Sequence, residues 1–305
     1  MNNLMWRSLA GGIISVVAFS LTAPATKLAV ASFTPFAVTG MRGLIAGIFC
    51  LAYLAWKRGP VPDSKTLGSL FLVGAVGAVG FSVLLALGLQ TVPATHASVF
   101  LAMLPLLTAM MSQWMLREST SPLFWLGAVS GAAISMGFMV ARSHGHLAIG
   151  DVYLFAAVLS AAWGYVRVAK YTRVMGGART MSWLVVSCSP IFLTLLIYGR
   201  PDWSRPISME SVVALLYLGT VSQSLGMFLW CWSLSTGYAA LVSQTQMIQP
   251  FLSLFAAAIL LGEKLEPEIA WVVTAVMACV AISTWAKVRR PKMNYAAGAA
   301  LLNRA

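Results

Sequence analysis

Residues 86–122 read ALGLQTVPATHASVFLAMLPLLTAMMSQWMLRESTSP, and residues 231–267 read CWSLSTGYAALVSQTQMIQPFLSLFAAAILLGEKLEP. Each stretch reads as the end of an apolar helix, a short polar turn, a second apolar helix and a charged hairpin. At an offset of 145 residues, nine of the 37 positions are identical. Shared Leu and Ala carry little weight in so apolar a chain. The rarer matches carry it: Thr91 with Thr236, Ser98 with Ser243, Pro105 with Pro250, Glu118 with Glu263 and Pro122 with Pro267. An internal duplication decides the fold before any single element does. It predicts two halves of one design, each with a proline-bearing helix.

The composition says which solvent the halves occupy. The 305 residues are 59% hydrophobic and 9% charged, with mean hydropathy +0.84. Soluble domains carry about 25% charged residues, so this chain cannot clothe a water-facing surface. A membrane-spanning helix needs about 20 apolar residues, and ten such runs follow one another, over 8–30, 34–56, 66–89, 95–116, 122–141, 150–170, 181–198, 211–232, 238–261 and 268–287. No joint between them is long enough for a soluble domain. The expectation is an all-α integral membrane protein of ten transmembrane helices, with residues 1–145 as one five-helix repeat, 146–290 as the second and 291–305 as a cytoplasmic tail. Residues 1–25 imitate a secretory signal around Arg7 and Ala23-Pro24-Ala25. The apolar run continues past that point and the duplication needs it, so the segment is read as the first helix.

The net charge of +12 lies between the apolar runs, where it orients a membrane chain and does not mark a nucleic-acid binder. With the N-terminus in the cytoplasm, 14 of the 20 Lys and Arg fall on the cytoplasmic side; the other six are Lys27, Arg42, Arg142, Arg200, Arg205 and Lys264. Five helices per half is an odd number, so the second half enters from the opposite side. The two repeats are therefore expected to be inverted, with the Glu118 hairpin inside and the Glu263 hairpin outside. Inverted repeats are typical of secondary transporters whose substrate site lies near the midplane. Pro24, Pro105, Pro190 and Pro250 fall inside runs, and membrane helices tolerate such breaks where neighbours or a cavity satisfy the freed backbone.

PFAVTGMRGLIAG around Arg42, AAWGYVRVAKY at the opening of the second half and the Pro-to-Glu hairpins together resemble the drug/metabolite transporter superfamily of EamA type over essentially the whole chain. LALGLQTVPATHASVF and the Trp of AAWGYV are similar to bacterial amino-acid exporters of the YddG type. The resemblance implies a multi-pass, ten-helix exporter of small metabolites in the bacterial inner membrane, working as a monomer by alternating access, with both termini cytoplasmic. A drug or sugar-nucleotide carrier, or a non-transporting membrane receptor, stands as the alternative. The smaller four-helix multidrug relatives use a glutamate in their first helix; GGIISVVAFSLTAPATKLA holds no acid, which argues against carboxylate-based antiport of cationic drugs.

Candidate substrate-binding residues come from polarity in the wrong solvent. Ser243, Gln246 and Gln249 share one helical face beside Pro250, whereas Gln244 points elsewhere; unpaired amides in lipid cost several kcal/mol. They read either as a cavity wall or as interhelical glue, and Gln223 is a further candidate. Trp163, Phe81 and Phe100 could form an aromatic wall or simply pack. His96 reads as a substrate partner or proton site, or as a cap facing outer water. His144 and His146 read as solvated loop residues. Every carboxylate falls at a joint or helix end. Lys27 and Arg42 read as snorkelling charges, with a substrate-carboxylate role as the alternative. The polar groups of the expected site thus carry no fixed charge. The glycines of the third run, Gly74, Gly77 and Gly80, recur every third residue and read as a packing surface. Cys50, Cys188, Cys231 and Cys279 lie in apolar runs without metal spacing. No catalytic constellation, metal site, cofactor motif or nucleotide-binding loop appears, so neither an enzyme nor an ATP-driven pump is expected.

Overall fold

The structure is a computed structural model, and it describes residues 3–116, 122–142, 148–200, 207–235, 242 and 245–288. Among the described residues, ten helical segments follow one another. They are α1 (Asn3–Ser32, broken at Leu21), α2 (Pro35–Lys57), α3 (Ser64–Thr91), α4 (Ala94–Ala102, then Leu104–Leu116) and α5 (Pro122–Arg142). The second half holds α6 (Ile149–Met175), α7 (Gly177–Ser187, then Ser189–Gly199), α8 (Met209–Tyr217 continued through Met227–Ser235), α9 (Thr245–Leu261) and α10 (Pro267–Val288). Six are long and apolar enough to cross a membrane as they stand. The two pieces of α7, bent by 45°, make a seventh, and shorter apolar helices fall within α5, α9 and α10.

The helix ends follow local chemistry. The Thr34 side chain accepts a hydrogen bond from the Ala37 backbone N–H, and Pro35 occupies the first turn of α2, where its missing N–H costs nothing. Ser208 caps α8 in the same way through Ser211. Gly262, at φ +64°, ends α9 in the left-handed conformation that glycine enters without penalty.

The duplication is visible in the irregularities. A break at Met103 separates the halves of α4, and Leu104 opens the second piece. In α9 a 3-10 turn, Thr245–Ile248, gives way to α-helix at Gln249, 145 residues after Leu104. Likewise α3 carries a π-helical stretch, Ala75–Gly80, and α8 carries Leu218–Gly226, which covers the equivalent positions. Wider π turns recur at functional sites.

The packing has the symmetry of an inverted pair. α2 lies on α7 and α5 on α10, each helix against its own counterpart. The contact of α1 with α8 is matched by that of α6 with α3. Directions follow from contacts at the tips. The Thr34 hydroxyl, before α2, donates to the Gly199 carbonyl at the end of α7 (2.8 Å), and Arg179 at the start of α7 donates to Pro60 beyond the end of α2. Counterpart helices therefore run antiparallel, as two inverted repeats require. Glu263 marks one end of the bundle and Arg179 the other.

The glycines of α3 do pack, though not on one neighbour. A Cβ on Gly74 would strike Cys188 and Leu184 of α7, whereas one on Gly77 would sit 2.7 Å from the Gly164 Cα of α6. The π-helical stretch changes the phase, so the three-residue spacing does not keep one face.

Candidate functional site

A cavity lies between the repeats, with about 140 Å³ of room for the centres of water-sized molecules. Each water takes about 30 Å³ of the liquid, so the space admits on the order of five waters, room for a small metabolite. Described residues of α1–α4 and α6–α9 line it. The irregular backbone gathers here: Thr22 beside the break in α1, Gly77 and Phe81 at the π-helical stretch of α3, Leu104 at the break in α4, Gln223 in that of α8 and Gln249 at the break in α9. The wall is mostly apolar with a few placed polar groups, which is the usual character of small-molecule sites.

Arg42 is the charged member of that lining among the described residues, and it is only 7% exposed. Its Nε donates to Gln223 Oε1 at 2.5 Å, and no carboxylate pairs with it among the described residues. The close approach of α2 to α8 explains the reach, since a Cβ on Gly219 would lie 3.1 Å from the Arg42 carbonyl oxygen. Arg42 therefore does not snorkel, and the cavity carries a fixed positive charge where the sequence reading expects none. Tyr165 of α6 also lines the cavity; 38% of its surface is open.

Of the other residues anticipated from the sequence, Phe81 and Gln249 line the cavity, and so does Gln223. Gln246 lies in the 3-10 turn just before Gln249 and is not among the lining residues. Trp163 packs against the cluster that holds Leu184, Cys188 and Phe192, with the Arg167 guanidinium 5.5 Å from its ring centroid. Phe100 is fully buried between α4 and α6, 6.4 Å from the Phe155 ring. Ser243, Gln244, Glu118, His144 and His146 lie outside the described residues.

His96 is buried, and its Nδ1 stands 3.0 Å from an oxygen of Asp151, itself 3% exposed, in the first turn of α6. The expectation of a water-facing cap does not hold. Asp151 sits at a helix start, where the macrodipole favours a negative charge, but inside the protein.

The same end of the bundle is tied across the repeats. Glu263 Oε1 accepts from the Ala94 N–H at 2.7 Å, and Oε2 accepts from the Thr95 N–H at 2.8 Å. These are orphan donors of the first turn of α4, and a carboxylate satisfies them twice over. Lys27 Nζ donates to the Leu89 and Val92 carbonyls at the end of α3. At the level of the cavity, Thr22 and Ser222 share a hydrogen bond of 2.8 Å, and nearby Ser253 donates to the Ser20 carbonyl. Below this seal Leu85, Leu89, Ala97 and Phe100 pack with almost no exposure. Towards the other end the lining descends through Cys50, Val73 and Met181.

An inverted-repeat helical bundle with a central, largely apolar cavity sealed towards one end is the architecture of a secondary transporter. The chain belongs to the EamA-like transporter family, whose model matches it twice, over residues 6–139 and 148–285. It is 35% identical over 270 residues to the uncharacterized transporter YdeK of Bacillus subtilis, covering 88% of this chain and 94% of that one. Similarity extends to the uncharacterized inner membrane transporter YedA of Escherichia coli K12, at 25% identity over 82% of this chain and 81% of the relative. A probable terminal-alkyne amino-acid exporter of Streptantibioticus cattleyicolor is 24% identical over 84% of this chain and 86% of its own. A solved crystal structure shares the fold with a TM-score of 0.63 at 18% identity, covering 91% of this chain and 98% of that one. The protein is thus a membrane transporter and not an enzyme.

Proposed function

We propose that this transporter exports small metabolites, foremost amino acids, across the bacterial inner membrane by alternating access. The carrying observation is the central cavity, which has room for a small metabolite and sits where the helix breaks of both repeats converge. The relative described as a probable amino-acid exporter supports the substrate class. The charge asymmetry of the loops supports an orientation with both termini in the cytoplasm and the Glu263 end outside. The sealed end then faces outward and the cavity is poised towards the cytoplasm, the loading state of an exporter.

Two measurements test this reading. Proteoliposomes containing only this protein should release preloaded neutral amino acids faster than empty liposomes, with and without a pH gradient; no accelerated flux of any amino acid overturns the substrate class. For topology, single cysteines at Ser119 and Lys264, on a background without the four native cysteines, should be labelled from opposite sides. Labelling from one side would remove the assigned orientation.

A further inference from the structure

Among the described residues, no negative charge answers that of Arg42. Burying an unpaired ion is costly, and ionisable groups held within membrane spans mark substrate or ion pathways. The guanidinium is held from behind: Gln223 Oε1 takes its Nε–H, which leaves the terminal Nη groups without a hydrogen-bond partner among the described residues. That edge is the one a guanidinium uses for paired hydrogen bonds to a carboxylate. Gln223 itself stands in the π-helical stretch of α8, so the wider turn delivers the amide to Arg42.

From this geometry we infer that Arg42, oriented by Gln223, is the anchor for a substrate carboxylate, and that the transported class is small monocarboxylates with an apolar body, the apolar amino acids among them. A single positive charge matches a monoanion better than a phosphate dianion. Beyond the anchor the wall turns apolar through Phe81, Leu85, Met181 and Phe228, which suits a hydrocarbon or aromatic side chain. Ser222 and Gln249 offer neutral polar atoms for an ammonium, and no lining carboxylate among the described residues would select for a cation. The inference rests on the cavity being the substrate site and adds the chemistry it reads.

The test separates binding from flux. Purified protein is titrated with phenylalanine, with 3-phenylpropionate, which lacks the ammonium, with phenylalaninamide and phenethylamine, which lack the carboxylate, and with inorganic phosphate; thermal stabilisation reports the affinity. The two carboxylates should bind and the amide and amine should not. Arg42→Gln should weaken carboxylate binding on the order of ten- to hundredfold, the range of a charged hydrogen-bonded contact, and Arg42→Lys should restore part of it. Gln223→Leu should weaken it less, since it loosens the anchor without removing the charge. Equal binding of phenylalanine and phenylalaninamide by the native protein overturns the anchor whether or not any variant folds, and so does preference for phosphate. Arg42-dependent carboxylate binding without amino-acid flux would keep the anchor and sink the export reading. Amino-acid flux that survives Arg42→Gln in full, with the amide competing as well as the acid, would do the reverse.

Discussion

Glu263→Ala should unseal the end of the bundle that carries it. In a background without native cysteines, a cysteine at Ala97, which is 1% exposed and about one turn below the capped N–H groups, should pass from unreactive to reactive towards a water-soluble maleimide. The two N–H groups of Ala94 and Thr95 lose both partners at once, and hydrogen bonds to a charged group contribute about 1.5–3 kcal/mol each. Glu263 is half-buried, so solvent replaces part of this. A net loss of about 2 kcal/mol shifts a two-state equilibrium about 30-fold, enough to bring a minor open state into view. Glu263→Gln keeps one acceptor oxygen and should fall between the two. If the Ala97 cysteine is equally unreactive with and without Glu263, the carboxylate does not hold this end shut.

What the sequence disclosed, and what it withheld, follows from the physics of each residue. The repeat was legible because Pro105 and Pro250 interrupt otherwise uniform helices at one offset, and those breaks border the cavity. Side-chain direction was legible only where the helix stayed regular. In α6, Ala161, Gly164, Tyr165 and Val168 form an i, i+3, i+4, i+7 stripe that faces the cavity, and Trp163 lies off that stripe. In α9 the 3-10 turn changes the phase between Gln246 and Gln249, so the face they share on an ideal α-helix is lost. Arg42 could have been recognised from depth. It stands seven residues into α2, about 10 Å along the axis at 1.5 Å per residue, a long way to snorkel. The pairing of His96 with Asp151 was not readable, because partners 55 residues apart in the chain meet only through tertiary packing.

The second large effect should come from the contact that sets Arg42 in place. α2 lies directly on the second piece of α7 through one side of TGMRGLIAG, and its glycines differ in how much room they have. A Cβ on Gly40 would fall 2.6 Å from the Phe192 carbonyl oxygen and 2.7 Å from the Leu196 nitrogen, both backbone atoms that cannot rotate aside. One on Gly43 would run into the ring of Phe192, which is itself 1% exposed and has nowhere to go. At Gly47 the nearest atom is Ser189 Oγ at 3.6 Å, an ordinary contact. Small residues at a membrane helix interface allow such close approach, and overpacking there costs about 1–3 kcal/mol, occasionally more. Gly40→Val should therefore lower the unfolding temperature of the purified protein sharply and force α2 away from α7, moving Arg42 relative to Gln223. Gly43→Ala should cost less than Gly40→Val but still destabilise. Gly47→Ala has room for its methyl and gains up to about 1 kcal/mol of helix propensity, so it should unfold at or above the native temperature and transport normally. Equal unfolding temperatures for Gly40→Val and Gly47→Ala would mean that α2 and α7 do not meet along this line of glycines, and the placement of Arg42 would lose its support.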